Sequence, residues 1–139
     1  MIEFHFKSDM GLANKTKYVD WVSRVIASEE FSVGQIDYIF CSDDYLLNLN
    51  QEYLNHDTLT DIITFDYVDG KTVSGDIFIS SERVEANAKD FDVEFEIELL
   101  RVMSHGVLHL MGYGDKSTAE AELMRQKEEE KIKMFHVEP

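Results

Sequence analysis

Cysteine and proline are nearly absent from this chain of 139 residues. Cys41 is the only cysteine, so no disulfide can form within the chain, as suits a reducing compartment. Because Cys41 ends an apolar stretch, we predict a buried thiol, with a reactive thiol as the alternative. The only proline is the terminal Pro139, and no repeat or proline-rich linker divides the sequence. This continuity and the length predict one domain spanning residues 1–139.

Long hydrophobic runs are also missing. No segment approaches the roughly 20 apolar residues that a membrane helix requires. The first residues, MIEFHFKSDM, have neither the basic start nor the apolar stretch of a signal peptide. We therefore expect a cytoplasmic protein with no membrane partner.

Positive charge is scarce as well. The chain has 13 basic and 28 acidic residues, a net charge of −15, and no Lys or Arg lies between residues 25 and 70. Since binding to a phosphate backbone depends on Lys and Arg, the composition alone disfavours a strong nucleic-acid binder. Glu128, Glu129 and Glu130 continue the acidic balance near the C-terminus, where we expect a solvated helix face. The alternative is a docking surface for a basic partner protein.

Hydrophobic periodicity predicts four strands and about five helices. Strand patterns occupy residues 2–6, 35–41, 61–67 and 75–80, and the turn at Asp69-Gly70 precedes the last of them. Helical spacing and capping residues predict helices at 15–28, 42–53, 81–91, 94–111 and 117–133. The fourth helix is apolar on most sides, which indicates burial inside the domain. We expect an α+β fold in which the helices pack on a small, mixed four-stranded sheet.

Two histidines on the buried helix lie four residues apart. His105 and His109 therefore project from one face of that helix, and both imidazoles can reach one ion. Gly112 and Gly114 can end the helix and turn the chain, since glycine tolerates the left-handed backbone. Asp115 would then complete a three-ligand site with one open position, as in catalytic zinc sites, with one Zn²⁺ per chain. A pair of hydrogen-bonded structural histidines is the alternative.

The same spacing matches the metzincin peptidase pattern His-Glu-x-x-His-x-x-Gly-x-x-His, with two changes. Gly106 replaces the glutamate that would act as general base, and Asp115 replaces the last histidine. Without that base a zinc peptidase is disfavoured. A glycine in the middle of a helix lowers helix stability by about 1 kcal/mol relative to Ala. We therefore predict that another backbone or the substrate approaches Gly106 closely. The remaining histidines show no ligand spacing and are expected to be surface or core residues: His5, His56 and His136.

Several motifs together resemble the YbeY family of endoribonucleases, or rRNA maturation factors. The run His105-Gly-Val-Leu-His109-Leu-Met-Gly112-Tyr113 is similar to that family's signature. The strands beginning Thr60-Asp61 and Gly75-Asp76-Ile77 resemble two further family motifs, and Asn50 to Tyr53 matches a third in part. The resemblance covers about residues 35 to 130, with the motifs in the family's order.

The resemblance implies a cytoplasmic, single-domain metalloprotein with one zinc ion held by three side chains. It implies a single-strand-specific endoribonuclease in late 16S rRNA maturation and ribosome quality control. Its partners would be the rRNA precursor and the small ribosomal subunit, and ribosomal proteins are further candidates. Two positions depart from the family: Asp115 stands where the third ligand is usually His, and Leu54 replaces an arginine thought to face substrate. A carboxylate can still bind zinc, but Leu54 cannot clamp a phosphate.

Four residues are candidates for substrate binding: Thr60, Asp61, Arg101 and Lys116. Arg101 lies one turn before His105, and Lys116 adjoins Asp115, so either can contact a phosphate near the metal. The competing interpretations are an ion pair between Arg101 and Glu98, a solvated Lys116 and an Asp61 that caps a turn. No residue qualifies as the general base. Two other functions stay open: a non-catalytic ribosome-assembly factor with a structural zinc, and a zinc peptidase-like hydrolase.

Overall fold

The computed structural model describes residues 1–54 and 61–136, and at positions 53 and 54 the backbone alone. Four strands lie in the described residues: β1 (Ile2–Phe6), β2 (Ser32–Cys41), β3 (Ile62–Asp66) and β4 (Thr72–Ser80). The helices are α1 (Lys15–Ser28), α2 (Asp43–Leu54), α3 (Ser81–Asp90), α4 (Phe95–Leu110) and α5 (Thr118–Phe135). No helix among these residues is both long and apolar enough to cross a bilayer.

The four strands form one mixed sheet in the order β1-β2-β4-β3. β1 and β4 each pair with β2 in parallel, whereas β3 and β4 form an antiparallel pair. The connection between β3 and β4 passes through Gly70, whose φ of 59° is the left-handed conformation that glycine favours. The predicted α+β class, with a mixed four-stranded sheet and five helices, is confirmed.

α4 packs across the inner face of the sheet, and this contact builds the main core. The hydroxyl of Tyr38 on β2 donates a hydrogen bond of 2.9 Å to the backbone carbonyl of Met103 on α4. Tyr38 and Ile77 are register partners on β2 and β4, and both are fully buried. Residues around most of the α4 circumference are buried, because α3 and α5 cover the sides that the sheet does not. The predicted burial of this helix is confirmed.

Gly106 on α4 lies directly over the sheet. A Cβ atom at this position would stand 2.9 Å from Cγ2 of Ile77 and 3.1 Å from Cδ1 of Ile62. The expectation that a backbone or substrate approaches Gly106 is therefore wrong. Two sheet side chains fill the space, and glycine allows α4 to come close enough to the sheet for its histidines to stand beside β3.

The opposite face of the sheet is only partly covered. α2 packs over β3 and β4, where Leu46 and Ile63 join Cys41 in a second small core. Cys41 is fully buried, as predicted, and its thiol donates to the carbonyl of Ile79 at 3.5 Å. Towards β1 this face is open, and polar side chains occupy it.

Two strands are longer than the alternation predicts. β2 begins at Ser32 rather than Gln35, and β4 begins at Thr72 rather than Gly75. The added residues pair with each other, with an irregularity between Val33 and Ile36. Gly34 lies within this irregularity, where a Cβ would be only 2.8 Å from Cγ2 of Thr72. The first residues of both strands are mostly polar residues and glycine, so they show no apolar alternation from which the longer strands could be predicted.

Candidate metal-binding cleft

A cleft of about 500 Å³ opens along α4, between β3, α3, the loop that follows α4 and the middle of α5. All six described residues that the sequence singles out for a site line this one cleft: Asp61, Arg101, His105, His109, Asp115 and Lys116. Thr60 and His56 lie outside the described residues. The packing of α4 on the sheet thus brings the predicted metal ligands and the predicted substrate residues together.

His109 occupies the last turn of α4, and its ring is oriented by the chain that follows. α4 ends at Leu110, and Gly112 takes a φ of 105°, which confirms the predicted glycine turn. The turn brings the carbonyl of Tyr113 to 3.1 Å from Nδ1 of His109. With Nδ1–H donating to this carbonyl, Nε2 of His109 keeps its lone pair for a metal ion.

Gly114 has a different role from the one predicted. Among the described glycines only Gly70 and Gly112 have positive φ, so Gly114 does not use the left-handed conformation. A Cβ on Gly114 would instead stand 3.0 Å from Cδ of Glu120. Glu120 accepts from the backbone N–H of Ser117, and the Ser117 hydroxyl accepts from the N–H of Glu120, which confirms the predicted capping box.

His105 is held by a carboxylate from another helix. Its Nδ1 lies 2.7 Å from Oε2 of Glu128 on α5, and Glu128 is only 5% exposed. Burial alone would lower the pKa of His105, but the hydrogen bond and charge of Glu128 outweigh it and raise that pKa. The prediction of a solvated face is therefore wrong for Glu128. A carboxylate that fixes the far nitrogen of a histidine is typical of metal sites.

The third predicted ligand approaches the same histidine. Oδ2 of Asp115 lies 3.4 Å from Nε2 of His105. The rings of His105 and His109 are nearly parallel, at 6° with centroids 6.3 Å apart. Two imidazoles and one carboxylate are the donor types that suit a divalent cation such as zinc, but their three donor atoms do not all lie within 4.8 Å of one another in the described structure.

A second group of ligand-type side chains stands on the open face of the sheet. Within the described ranges, the group whose three donor atoms all lie within 4.8 Å of one another is Glu3, His5 and Asp37. Nε2 of His5 is 2.8 Å from Oδ1 of Asp37 and 4.0 Å from Oε2 of Glu3. The sequence analysis assigned His5 no ligand spacing, because Asp37 comes from the neighbouring strand β2 and only Glu3 lies on the same face of β1. His136 is exposed, as expected.

Arg101 is surrounded by carboxylates. Its Nη2 donates to Glu129 at 2.6 Å, its Nη1 lies 3.5 Å from Glu128, and its Nε lies 3.6 Å from Glu98. Its side chain is 16% exposed. The predicted contact with Glu98 is thus one of three. Burial would lower the pKa of Arg101, but the three carboxylates raise it, so the guanidinium stays charged.

Asp61 forms the wall of the cleft opposite α4. Its backbone carbonyl accepts from the N–H of Ser80 at 3.0 Å, and its carboxyl group faces the cleft. Burial raises the pKa of this carboxyl, although the charge of His105 opposes the shift. Glu98 is also buried, and burial raises the pKa of its carboxyl, with Arg101 opposing.

Glu98, Arg125 and Glu128 line the cleft but were missed from the sequence. One signal was present for Glu128. On α5 the buried residues Met124, Glu128 and Ile132 recur every four residues, so Glu128 occupies a core position of the helix. A carboxylate in that stripe requires a buried partner, and the partner is His105.

Comparison with known proteins adds independent findings. The family model described as Endoribonuclease YbeY matches residues 3–136. A Flavobacterium johnsoniae protein named Endoribonuclease YbeY is 62% identical over 138 residues, covering 99% of both chains. A Bacteroides fragilis protein of that name is 46% identical over 120 residues, covering 86% of both chains. A solution structure from Thermotoga maritima superposes with a TM-score of 0.70 at 28% identity, covering 97% of this chain and 89% of the other.

The fold and these relatives together place the chain in a class of small α+β hydrolases. Within that class it belongs to the Endoribonuclease YbeY family. Family membership confirms the predicted resemblance and the predicted enzyme type, a hydrolase that acts on RNA phosphodiester bonds.

Proposed function

We propose that residues 1–139 form one zinc-dependent endoribonuclease domain in the cytoplasm, specific for single-stranded RNA, which acts in late 16S rRNA maturation and ribosome quality control. Its partners are the rRNA precursor and the small ribosomal subunit, with ribosomal proteins as further contacts. One Zn²⁺ per chain would be held by His105, His109 and Asp115. The observation that carries this proposal is the single cleft that these residues share with Asp61, Arg101 and Lys116.

Each proposed ligand has a support that suits its role. Glu128 and the Tyr113 carbonyl are placed to accept from the Nδ1 atoms of His105 and His109, which leaves each Nε2 as the atom that would bind the ion. Asp115 is about half exposed, so its carboxylate can rotate from its contact with His105 to close the site.

A divalent cation bound there would polarise a phosphodiester and stabilise the negative charge that develops on it. The chain's own residues then orient the substrate. Asp61 lines the cleft just before β3, where burial raises the pKa of its carboxyl. Glu128 holds the His105 ring in place throughout.

Elemental analysis of the purified chain tests the metal site. We expect one zinc per chain, lost in His105→Ala and reduced in Asp115→Asn. The matched control is His5→Ala, which removes the histidine of the other ligand-type group. Zinc that stays in His105→Ala but leaves in His5→Ala would move the metal to the open face of the sheet and contradict the proposal.

Cleavage of precursor 16S RNA, with and without chelator, tests the activity. We expect the parent chain to cut single-stranded regions, and we expect chelation and His105→Ala to abolish the cutting. Metal-independent cleavage would overturn the proposed role of the cation.

The second candidate is a ribosome-assembly factor whose metal only stabilises the fold. Arg101 favours it, because three carboxylates already neutralise this cation, and so does the net charge of −15. In that case the metal-loaded chain would bind the ribosomal subunit without cutting RNA. His109→Ala would then lower the thermal stability of the chain, with no cleavage activity to lose.

A further inference from the structure

The rim of the cleft carries two exposed cations that have no hydrogen-bond or ion-pair partner in residues 1–54 and 61–136. Arg125 lies on α5 and Lys116 just before α5, and both side chains line the cleft. Among the residues that the structure describes, neither makes a hydrogen bond or ion pair. The positive charge of Arg125 lowers the pKa of the Glu98 carboxyl and so opposes the effect of burial on it.

These two cations differ from the others nearby. Arg101 is bound by Glu98, Glu128 and Glu129, and Lys127 is bound by Glu29. A guanidinium with three carboxylates around it offers little net attraction to a phosphate. Arg125 and Lys116 keep their full charge available to a ligand.

The charges inside the cleft explain why such cations are needed. Four carboxylates line it, on Asp61, Glu98, Asp115 and Glu128. An RNA phosphate entering the cleft is repelled by all four, and the net charge of −15 adds to this repulsion over longer distances. Cations at the rim would offset this repulsion for the phosphates next to the one at the metal.

The rim continues into a neighbouring groove of about 490 Å³ along the first turns of α5. Arg125 lines this groove as well as the cleft, so it stands where the two meet. Lys116 adjoins the N-terminus of α5, where the helix dipole adds positive potential. A strand leaving the cleft along α5 passes both cations.

We propose that Arg125 and Lys116 bind phosphates of the single-stranded RNA on either side of the bond to be cut, and that the strand leaves along α5. This inference rests on the proposed function. The planar guanidinium of Arg125 can donate two hydrogen bonds to one phosphate, whereas Lys116 supplies a point charge.

The test measures binding of the full chain to a fluorescently labelled single-stranded RNA over a series of salt concentrations, with chelator present to prevent cutting. The variants are Arg125→Gln, Lys116→Gln and the conservative Arg125→Lys. The matched control is Lys89→Gln, which removes an exposed cation of α3 that pairs with Glu85 and does not line the cleft.

We expect Arg125→Gln and Lys116→Gln each to weaken binding roughly two- to fivefold, as for an exposed ion pair. Each should also lower the slope of log K against log salt by about 0.7, the value for one phosphate contact on a single strand. Arg125→Lys should keep most of the slope, and Lys89→Gln should match the parent. In cleavage assays KM should rise while kcat stays the same.

Failure of this inference is distinguishable from failure of the proposed function. If the parent cuts RNA and both glutamine variants keep its KM and salt slope, the inference is wrong and the endoribonuclease proposal stands. If the parent binds RNA through Arg125 and Lys116 but never cuts it, the two phosphate contacts are supported. The result then favours the ribosome-assembly factor over the endoribonuclease. A parent chain that does not bind RNA at all overturns the inference.

Discussion

Glu128 and His105 are 23 residues apart in the chain, yet Oε2 of Glu128 lies 2.7 Å from Nδ1 of His105. The contact joins α5 to α4 across the floor of the cleft. Because Glu128 is buried and also lies 3.5 Å from Arg101, its carboxylate pairs with a cation and orients a proposed metal ligand at once. The acidic run of α5 therefore contributes to the candidate site.

Removing the charge of Glu128 should weaken metal binding. In Glu128→Gln the amide still reaches His105, but it no longer accepts as a charged group, and we expect zinc affinity to fall about 10- to 100-fold. Competition with a chromophoric chelator measures this change. Glu129→Gln is the control, since Glu129 accepts from Arg101, whereas His105 is bonded to Glu128. Equal affinities in the two variants would contradict the positioning role.

Glu29 should stabilise the fold through the loop that carries Asp115. Its carboxylate accepts from Tyr113 at 2.6 Å, from Lys127 at 3.1 Å and from the buried Lys131 at 2.7 Å. Burial would raise the pKa of Glu29, but these hydrogen bonds lower it from 4.5 to about 2. We expect Glu29→Gln to cost about 2 kcal/mol in the free energy of unfolding, measured by urea denaturation.

The pH dependence of that contribution has a definite sign. A lowered pKa in the folded state means that the stabilisation is complete above pH 4.5 and is lost as the pH falls towards 2. The difference in stability between the parent and Glu29→Gln should therefore shrink over that range. Glu30→Gln is the control, because the neighbouring Glu30 is exposed. A constant difference down to pH 2 would contradict the assignment.

Gly106→Ala should destabilise the protein although Ala favours helices. The added Cβ meets Ile77 at 2.9 Å and Ile62 at 3.1 Å. Overpacking of this kind costs about 1–3 kcal/mol, against a gain of about 1 kcal/mol in helix propensity. We expect a net loss of about 1 kcal/mol by thermal or urea unfolding. Gly11→Ala, where nothing lies within 4 Å, should be close to neutral. A Gly106→Ala protein as stable as the parent would refute the close contact.

Cys41 should be unreactive in the folded protein. It is fully buried, and burial, with a smaller effect of Asp43, raises the pKa of its thiol to about 11. The thiolate is the reactive form of cysteine. We therefore expect a thiol reagent at pH 8 to label the native chain only when unfolding exposes Cys41, and to label the chain fully in denaturant. Rapid stoichiometric labelling of the native chain would show that the strand end is accessible.

Local spacing explains what could be predicted of this site. His105 and His109 share a face because the α-helix repeats every 3.6 residues, and Gly112 ends the helix because it adopts positive φ. Both properties are short-range, so they hold wherever the helix lies in the fold. The capping box at Ser117 and the hairpin turn at Gly70 are of the same kind.

The sequence by itself thus determined the family, the α+β class, the buried helix and the candidate ligands on it. Only the tertiary structure decided that β4 lies between β2 and β3, that Glu128 holds His105, that Arg101 is neutralised and that Arg125 is not. The physical reason is distance along the chain. Contacts between residues 20 or more positions apart depend on how separate elements pack, and the free energy of packing belongs to the whole core rather than to any local pattern.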